Sequence, residues 1–388
     1  MTLPSKYFLY SAMTVLAALP QLSWAADAGS PAPAATSLGD LLSSSGITVN
    51  GYVAASYYAF NGYQSGPYTY HQFDIQHDTF QLDQAGLTVA YQPKSGFGAL
   101  LDVIAGEDAK ILHAAEDGNA TSVDVKQAFV QYATGPLTVI AGKFVTLAGA
   151  EVIAPPLNTN FSRSLLFFEN EPLTHTGMRA TWALNDTLSL IGGINNGWNT
   201  TSMSYGSKSG ELGLAWTPNK IFSLTAQGYF GKYGITEPTP LAGERSLVDV
   251  VATYNATSAL TFILNVDWDK QDEAFGAGSS SASWSGVAGY INYAFNDQWR
   301  ASVRLEYEDD RDGALTGIRG EKLKEGTLTV GYDPSKNFEL RIEGRLDKAS
   351  DRVFLRANPA LTGSEAAPEF ADNLSEFALQ AVYKFPSM

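Results

Sequence analysis

The sequence predicts an all-β protein: a transmembrane, antiparallel, up-and-down β-barrel of about 16 strands, with short periplasmic turns and long extracellular loops. Three observations predict it. Apolar and polar residues alternate along successive stretches, the period of strands whose two faces meet different solvents. An aromatic residue closes nearly every stretch beside a short turn rich in Pro, Gly, Asn, Asp and Ser. No run beyond the N-terminus approaches the ~20 apolar residues of a membrane-spanning helix, and the mean hydropathy is −0.09.

The elements follow in chain order. Lys6 precedes an apolar run over residues 7–19, and Ser23, Trp24 and Ala25 follow it. Small residues at positions 23 and 25 mark a secretory signal peptide, residues 1–25, cleaved after Ala25. Residues 26–46, rich in Ala, Ser and Pro, read as a periplasmic leader, and residues 47–388 as the barrel. The formal net charge of −15 argues against nucleic acid as a partner. The absence of cysteine removes disulfides, thiolate metal sites and cysteine nucleophiles.

Seven short turns, at 91–97, 132–137, 182–188, 216–222, 254–260, 293–299 and 332–338, join fourteen strands. One strand at 47–60 precedes them and one at 374–385 follows, which makes sixteen. Longer polar connections lie at 61–79, 107–121, 147–173, 196–207, 233–243, 271–282, 310–320 and 349–373. In 259–270, Leu260, Phe262, Leu264, Val266 and Trp268 share one face, whereas Thr261, Asn265, Asp267 and Asp269 share the other. In 296–308, Trp299, Ala301, Val303, Leu305 and Tyr307 oppose Arg300, Ser302, Arg304 and Glu306. The same division separates Leu340, Ile342 and Leu346 from Glu339, Arg341, Glu343, Arg345 and Asp347. Soluble sandwiches alternate too, but without an aromatic at each strand end. Tyr91, Tyr132, Trp182, Trp216, Tyr254, Tyr293, Tyr332 and Tyr383 fit an interfacial girdle at the short-turn rim.

The opening strand 47–57, the hairpin 84–102, Ala141 to Phe144, and the segment from Pro156 to Gly177 resemble the putative β-barrel porin-2 family, the OmpL-like porins of Gram-negative bacteria. The resemblance spans nearly the whole mature chain and is most specific over 141–177. It implies an outer-membrane pore and leaves the solute open. The environment expected of such a pore is outer-membrane lipid and lipopolysaccharide, its cargo small hydrophilic solutes, and its common assembly a homotrimer.

A barrel of about 16 strands is too wide for wall side chains to fill, so its lumen holds water unless plugged. No internal segment is long enough for a folded plug domain. The third external loop, 147–173, carries Glu151, Arg163, Glu169 and Glu171 and an apolar run, Leu165 to Phe168, that needs burial. It is expected to fold inward and narrow the pore. Strand parity turns Arg179, Arg300, Arg304, Arg341 and Arg345 to the lumen, with Lys143 on a poorly alternating strand. An acidic loop facing an arginine ladder would set a transverse field across the channel. A plainer reading pairs Arg341 and Arg345 with Glu339, Glu343, Asp347 and Glu306. No cofactor, metal site or catalytic residue is expected. Asp309, Asp310 and Asp312 read as a solvated loop, and His175 has no metal-spaced partner. A structural or adhesive barrel with a closed lumen is the alternative function. A lipid hydrolase, which needs His175 on the lipid face, is the weaker one.

Overall fold

The computed structural model describes residues 45–61, 70–202, 208–232, 243–276, 278–356 and 369–386. The expected signal peptide, 1–25, and residues 26–44 of the expected leader lie outside the described residues. The chain forms β1 Thr48–Phe60, β2 Thr79–Tyr91, β3 Gly96–Ala105, β4 Val123–Thr134, β5 Leu137–Val145, β6 Thr174–Ala183, β7 Leu188–Asn195, β8 Ser209–Trp216 and β9 Phe222–Lys232. It continues with β10 Glu244–Asn255, β11 Leu260–Gln271, β12 Ala282–Ala294, β13 Trp299–Asp310, β14 Glu321–Ser335, β15 Phe338–Ala349, β16 Phe354–Arg356, β17 Glu369–Ala371 and β18 Asn373–Lys384. Sixteen of these close into one antiparallel barrel in which β1 pairs with β18. The other two, β16 and β17, pair as a small ribbon inside the last long connection.

Closure leaves no strand edge unpaired, which is what permits strands to cross lipid. The period of two then sorts the side chains. On β10 and β11, Val248 lies opposite Trp268 and Val250 opposite Val266, all on the outer face; between them Asp249 lies opposite Asp267 on the inner face. Leu305 and Leu346 are 61% and 66% exposed, and the outer band also shows Phe80, Val130, Leu212 and Leu328. A continuous band of that kind is unsuited to water and suits acyl chains. Seven of the eight girdle aromatics are well exposed, and Tyr332 lies half-buried against the Trp299 ring at 4.5 Å. The short turns are local devices. Between β4 and β5, Gly135 at φ +53° adopts a left-handed conformation that a tight hairpin favours there.

Short segments from the long connections pack against the inside of the wall, because each carries apolar residues that find partners on the others. The connection 107–121 contains an α-helix, α1 Glu107–Asp117, where a polar loop is expected. Its Ala109 and Leu112 bury against Ile104, Phe73, Ile153 and Phe167. Glu107 and Asp108 in its first turn complement the helix dipole, and Gly118 caps its C-terminus by donating to the Ala114 carbonyl. Within the acidic run 309–312, Asp310 departs from a solvated loop, while Asp309 and Asp312 keep partial exposure. Asp310 is fully buried and accepts hydrogen bonds from the Ala314, Leu315 and Thr316 amides, building the turn that follows.

Candidate functional site

The connection 147–173 enters the barrel from the end of β5 and meets strands on the far wall in sequence. Tyr229 on β9 receives the Leu147 amide at 3.0 Å, and Asn265 on β11 receives the Ala150 amide at 2.7 Å. A turn of 3-10 helix, Pro155–Leu157, follows, braced by Asn158, whose carboxamide bonds the backbone of Val152 and Ala154. Asn160 donates to Thr329 on β14 at 2.7 Å. Glu343 on β15 accepts the Phe161 amide at 2.6 Å and both the amide and hydroxyl of Ser162. Glu306 on β13 accepts the Leu165 amide at 2.9 Å. There the short helix α2 Leu165–Glu169 begins, with Ser164 as its N-cap accepting from the Phe167 amide. Leu165, Leu166 and Phe167 are buried, each in a separate interior cluster with the wall.

The arginines sit under this loop rather than across water from it. Arg304 has no solvent exposure. Its guanidinium bonds Glu151 of the loop at 2.7 Å, the Ser162 carbonyl at 2.9 Å, Glu306 at 3.0 Å and Glu325 at 3.1 Å. Arg345 pairs with Asp347 at 2.7 Å and donates to the Arg163 carbonyl at 2.7 Å. Arg341 pairs with Glu339 at 2.8 Å and donates to the Pro155 carbonyl. Arg300 pairs with Glu339 and donates to the Thr159 carbonyl at 2.9 Å. Five loop carbonyls and carboxylates thus converge on four wall arginines, each contact a charge-assisted one.

The remaining candidates have other partners. Arg163 donates to the Val152, Phe161 and Ile153 carbonyls and lies over the Phe73 and Phe167 rings, so it staples the loop to itself. Arg179 forms a bidentate pair with Glu211 at 2.7 and 2.9 Å and stacks on Phe144 at 4.3 Å. Lys143 reaches Glu116 of α1 at 2.6 Å and Asp124 of β4 at 3.1 Å. Glu169 is partly buried at the end of α2, and desolvation, opposed by Arg245, pushes its carboxyl up to about 8. Glu171 is buried, and desolvation together with Asp249 and other carboxylates holds its carboxyl well above the usual range.

His175 is buried inside the wall, bonded at Nδ1 to the Gly197 carbonyl and stacked on Tyr229 at 4.9 Å. That places it away from lipid, where a hydrolase acting on membrane lipid would need it. Three groups of His and carboxylate side chains bring ligand atoms within 4.8 Å of one another: His71, Asp74 and Glu376; His113, Glu116 and Asp124; and Glu171, Asp249 and Asp267. In the first, His71 already bonds Asp74 at 2.5 Å; in the second, Lys143 supplies a positive charge. The third has neither. Two unit charges that close repel by about 3–4 kcal/mol at an effective dielectric constant of ~20. Sequence parity points Asp249 and Asp267 inward, but only exact register sets them opposite each other with Glu171 above.

The family model for putative beta-barrel porin-2, OmpL-like, matches residues 46–385. A search of curated protein sequences finds no match. Among solved structures, the outer membrane channel DcaP of Acinetobacter baumannii is similar with a TM-score of 0.60 at 14% identity, over 87% of this chain and 97% of that one. An anion-selective porin from Comamonas acidovorans gives 0.60 at 12% identity, over 87% and 99%. The outer-membrane OmpT of Vibrio cholerae gives 0.58 at 12% identity, over 88% and 98%. At those identities the likeness is one of fold. With a family match over nearly the whole barrel and a closed sixteen-stranded wall, the chain belongs to the OmpL-like β-barrel porin-2 family of bacterial outer-membrane porins.

Proposed function

We propose that this porin is a water-filled channel for passive diffusion of small hydrophilic solutes or ions, and that loop 147–173 narrows its lumen. The observation that carries the reading is the reach of the loop. Its hydrogen bonds end on β9, β11, β13, β14 and β15, so it spans the cross-section instead of standing outside the rim. On this reading Lys143 and Arg300 are the candidate wall cations that keep partial exposure, Arg179 is buried against Glu211, and Glu151, Arg163, Arg304, Arg341 and Arg345 fix the shape of the constriction. A homotrimer surrounded by lipid and lipopolysaccharide, exported with cleavage after Ala25, completes the proposal.

The burial of Arg304 and Arg345 favours a second reading, a structural or adhesive barrel whose lumen the loop closes. Protein extracted from outer membranes separates the two. Its intact mass reports the cleavage site and its mobility before and after boiling reports the trimer. Planar-bilayer recording is then expected to show stepwise conductance in threes, and liposomes containing it to swell in small sugars. Silent bilayers and unswollen liposomes would leave the closed barrel standing.

A further inference from the structure

We propose that Glu171, Asp249 and Asp267 form a binding site for a calcium ion that ties loop 147–173 to strands β10 and β11. The inference is independent of whether the lumen conducts.

Asp249 and Asp267 face each other across the β10–β11 ladder, and both have no solvent exposure. Like charges directly opposite on one face destabilise a sheet, so the pair needs a counter-charge. Among the described residues no Lys, Arg or His forms an ion pair with either, or with Glu171. Arg245, also on β10, is engaged by Asp269 at 3.2 Å and by the Glu169 and Asn170 carbonyls.

The oxygens are arranged for an external ligand. Asn265 donates to Asp249 Oδ2 at 2.8 Å and to Asp267 Oδ1 at 3.3 Å, which orients one oxygen of each carboxylate. The other oxygens, Asp249 Oδ1 and Asp267 Oδ2, have no side-chain donor, and the two carboxylates lie close to each other and to the Gly149 amide. Glu171 is 5% exposed, and neither of its carboxylate oxygens has a partner. Buried, unpartnered carboxylate oxygens are costly in any fold that leaves them so. Gly149 makes the approach of Glu171 feasible. Its φ of +87° disfavours other residues, and a Cβ there would sit 1.9 Å from Glu171 Oε2.

The donor set selects the ion. It offers carboxylate oxygens and no nitrogen or sulfur, which suits a hard cation and not zinc or copper. Calcium tolerates irregular cages of carboxylates, carbonyls and water, whereas magnesium demands a near-ideal octahedron. The same Asn265 also accepts the Ala150 amide, so one side chain links the first turn of the loop to the two wall ligands while Glu171 supplies its last turn. An ion here would clip both ends of the loop to one place on the wall.

The experiment uses mature protein refolded into detergent from denaturant, free of lipopolysaccharide, in calcium or in chelator. Equilibrium dialysis with radioactive calcium is expected to give one more tightly held ion per chain in the wild type than in the Asp249→Asn/Asp267→Asn double variant. Chelator is expected to lower the wild-type melting temperature by on the order of 5 °C and to leave the variant unmoved. Glu171→Gln alone serves if the double variant does not refold. Equal calcium binding by wild type and variant, or a wild-type melting temperature indifferent to chelator, overturns the proposal. If that indifference is accompanied by a rise in wild-type stability on mild acidification, protons rather than calcium neutralise the cluster.

Discussion

Two of the places where the inner wall sets carboxylates face to face across a strand ladder invite comparison. On β13 and β14 they are Glu306 and Glu325; on β10 and β11 they are Asp249 and Asp267. Both pairs are buried, and both meet the loop 147–173. At the first, Arg304 lies between the two acids and takes Glu151 of the loop as a third ligand. At the second, Glu171 of the loop is again the third acid, but no basic side chain lies between. The chain therefore repeats one arrangement, two wall acids and one loop acid, and supplies a cation from its own sequence in only one copy. On the β13–β15 side an arginine sits among the acids that pin the loop; on the β10–β11 side Asn265 and Arg245 hold the loop backbone, while the three acids have no basic side chain between them.

Removing the built-in cation is expected to have the largest effect. Arg304→Ala leaves Glu151, Glu306 and Glu325 buried without a positive charge and opens a gap beneath Ser162. Breaking a buried ion pair from one side costs about 3–5 kcal/mol. Reversible urea unfolding in lipid should show a loss of that size, and the single-channel conductance should rise as the loop lifts. A stable variant with wild-type conductance would mean that Arg304 does not hold the loop. A smaller loss is expected for Glu343→Gln. The amide keeps an acceptor for the Phe161 or Ser162 main chain but loses the charge that strengthens those bonds. Charge-assisted bonds contribute about 1.5–3 kcal/mol, so the unfolding free energy should fall by roughly 1–2 kcal/mol, with conductance changing less than in Arg304→Ala.

The two sites also mark how far the sequence can be read. The period of two, with lipid on one side of the wall, places Arg300, Arg304, Arg341 and Arg345 on the inner face by simple parity, and the aromatic turns locate the rim. Parity says which way a side chain points and nothing about what it meets. Arg304 meets Glu151 and Ser162, and Arg345 meets the Arg163 carbonyl, all on a loop distant in sequence. The expectation of an acidic loop facing arginines across water treats loop and wall as separate bodies. In the fold the loop lies on the ladder, because its buried amides and carbonyls need partners that the arginines and Glu343 provide. Helix α1 escapes the same reading for a local reason. Its buried stripe is little more than Ala109 and Leu112, too short a pattern to distinguish from a polar connection. The triad of Glu171, Asp249 and Asp267 escapes because a one-residue error in register would separate its two wall members.

The smallest expected effect discriminates best between the sites. In chelator, Asp267→Asn should stabilise the barrel, by up to about 1 kcal/mol, because it removes a repulsion that nothing offsets and replaces an acceptor with a group that can also donate to Asp249. Glu306→Gln is the matching change at the other site, and it should destabilise or do nothing. There the three acids are already gathered around Arg304, and losing one weakens its cage as well as the bond that receives the Leu165 amide. With calcium restored, the sign at Asp267 should reverse, since the same carboxylate would then be a ligand, while the result at Glu306 should not move. Parallel unfolding curves for the two variants, with and without calcium, read all four values. The same sign at both sites in chelator would show that charge at the β10–β11 wall is already balanced by a proton, and that the two copies of the arrangement differ in protonation, not in what binds them.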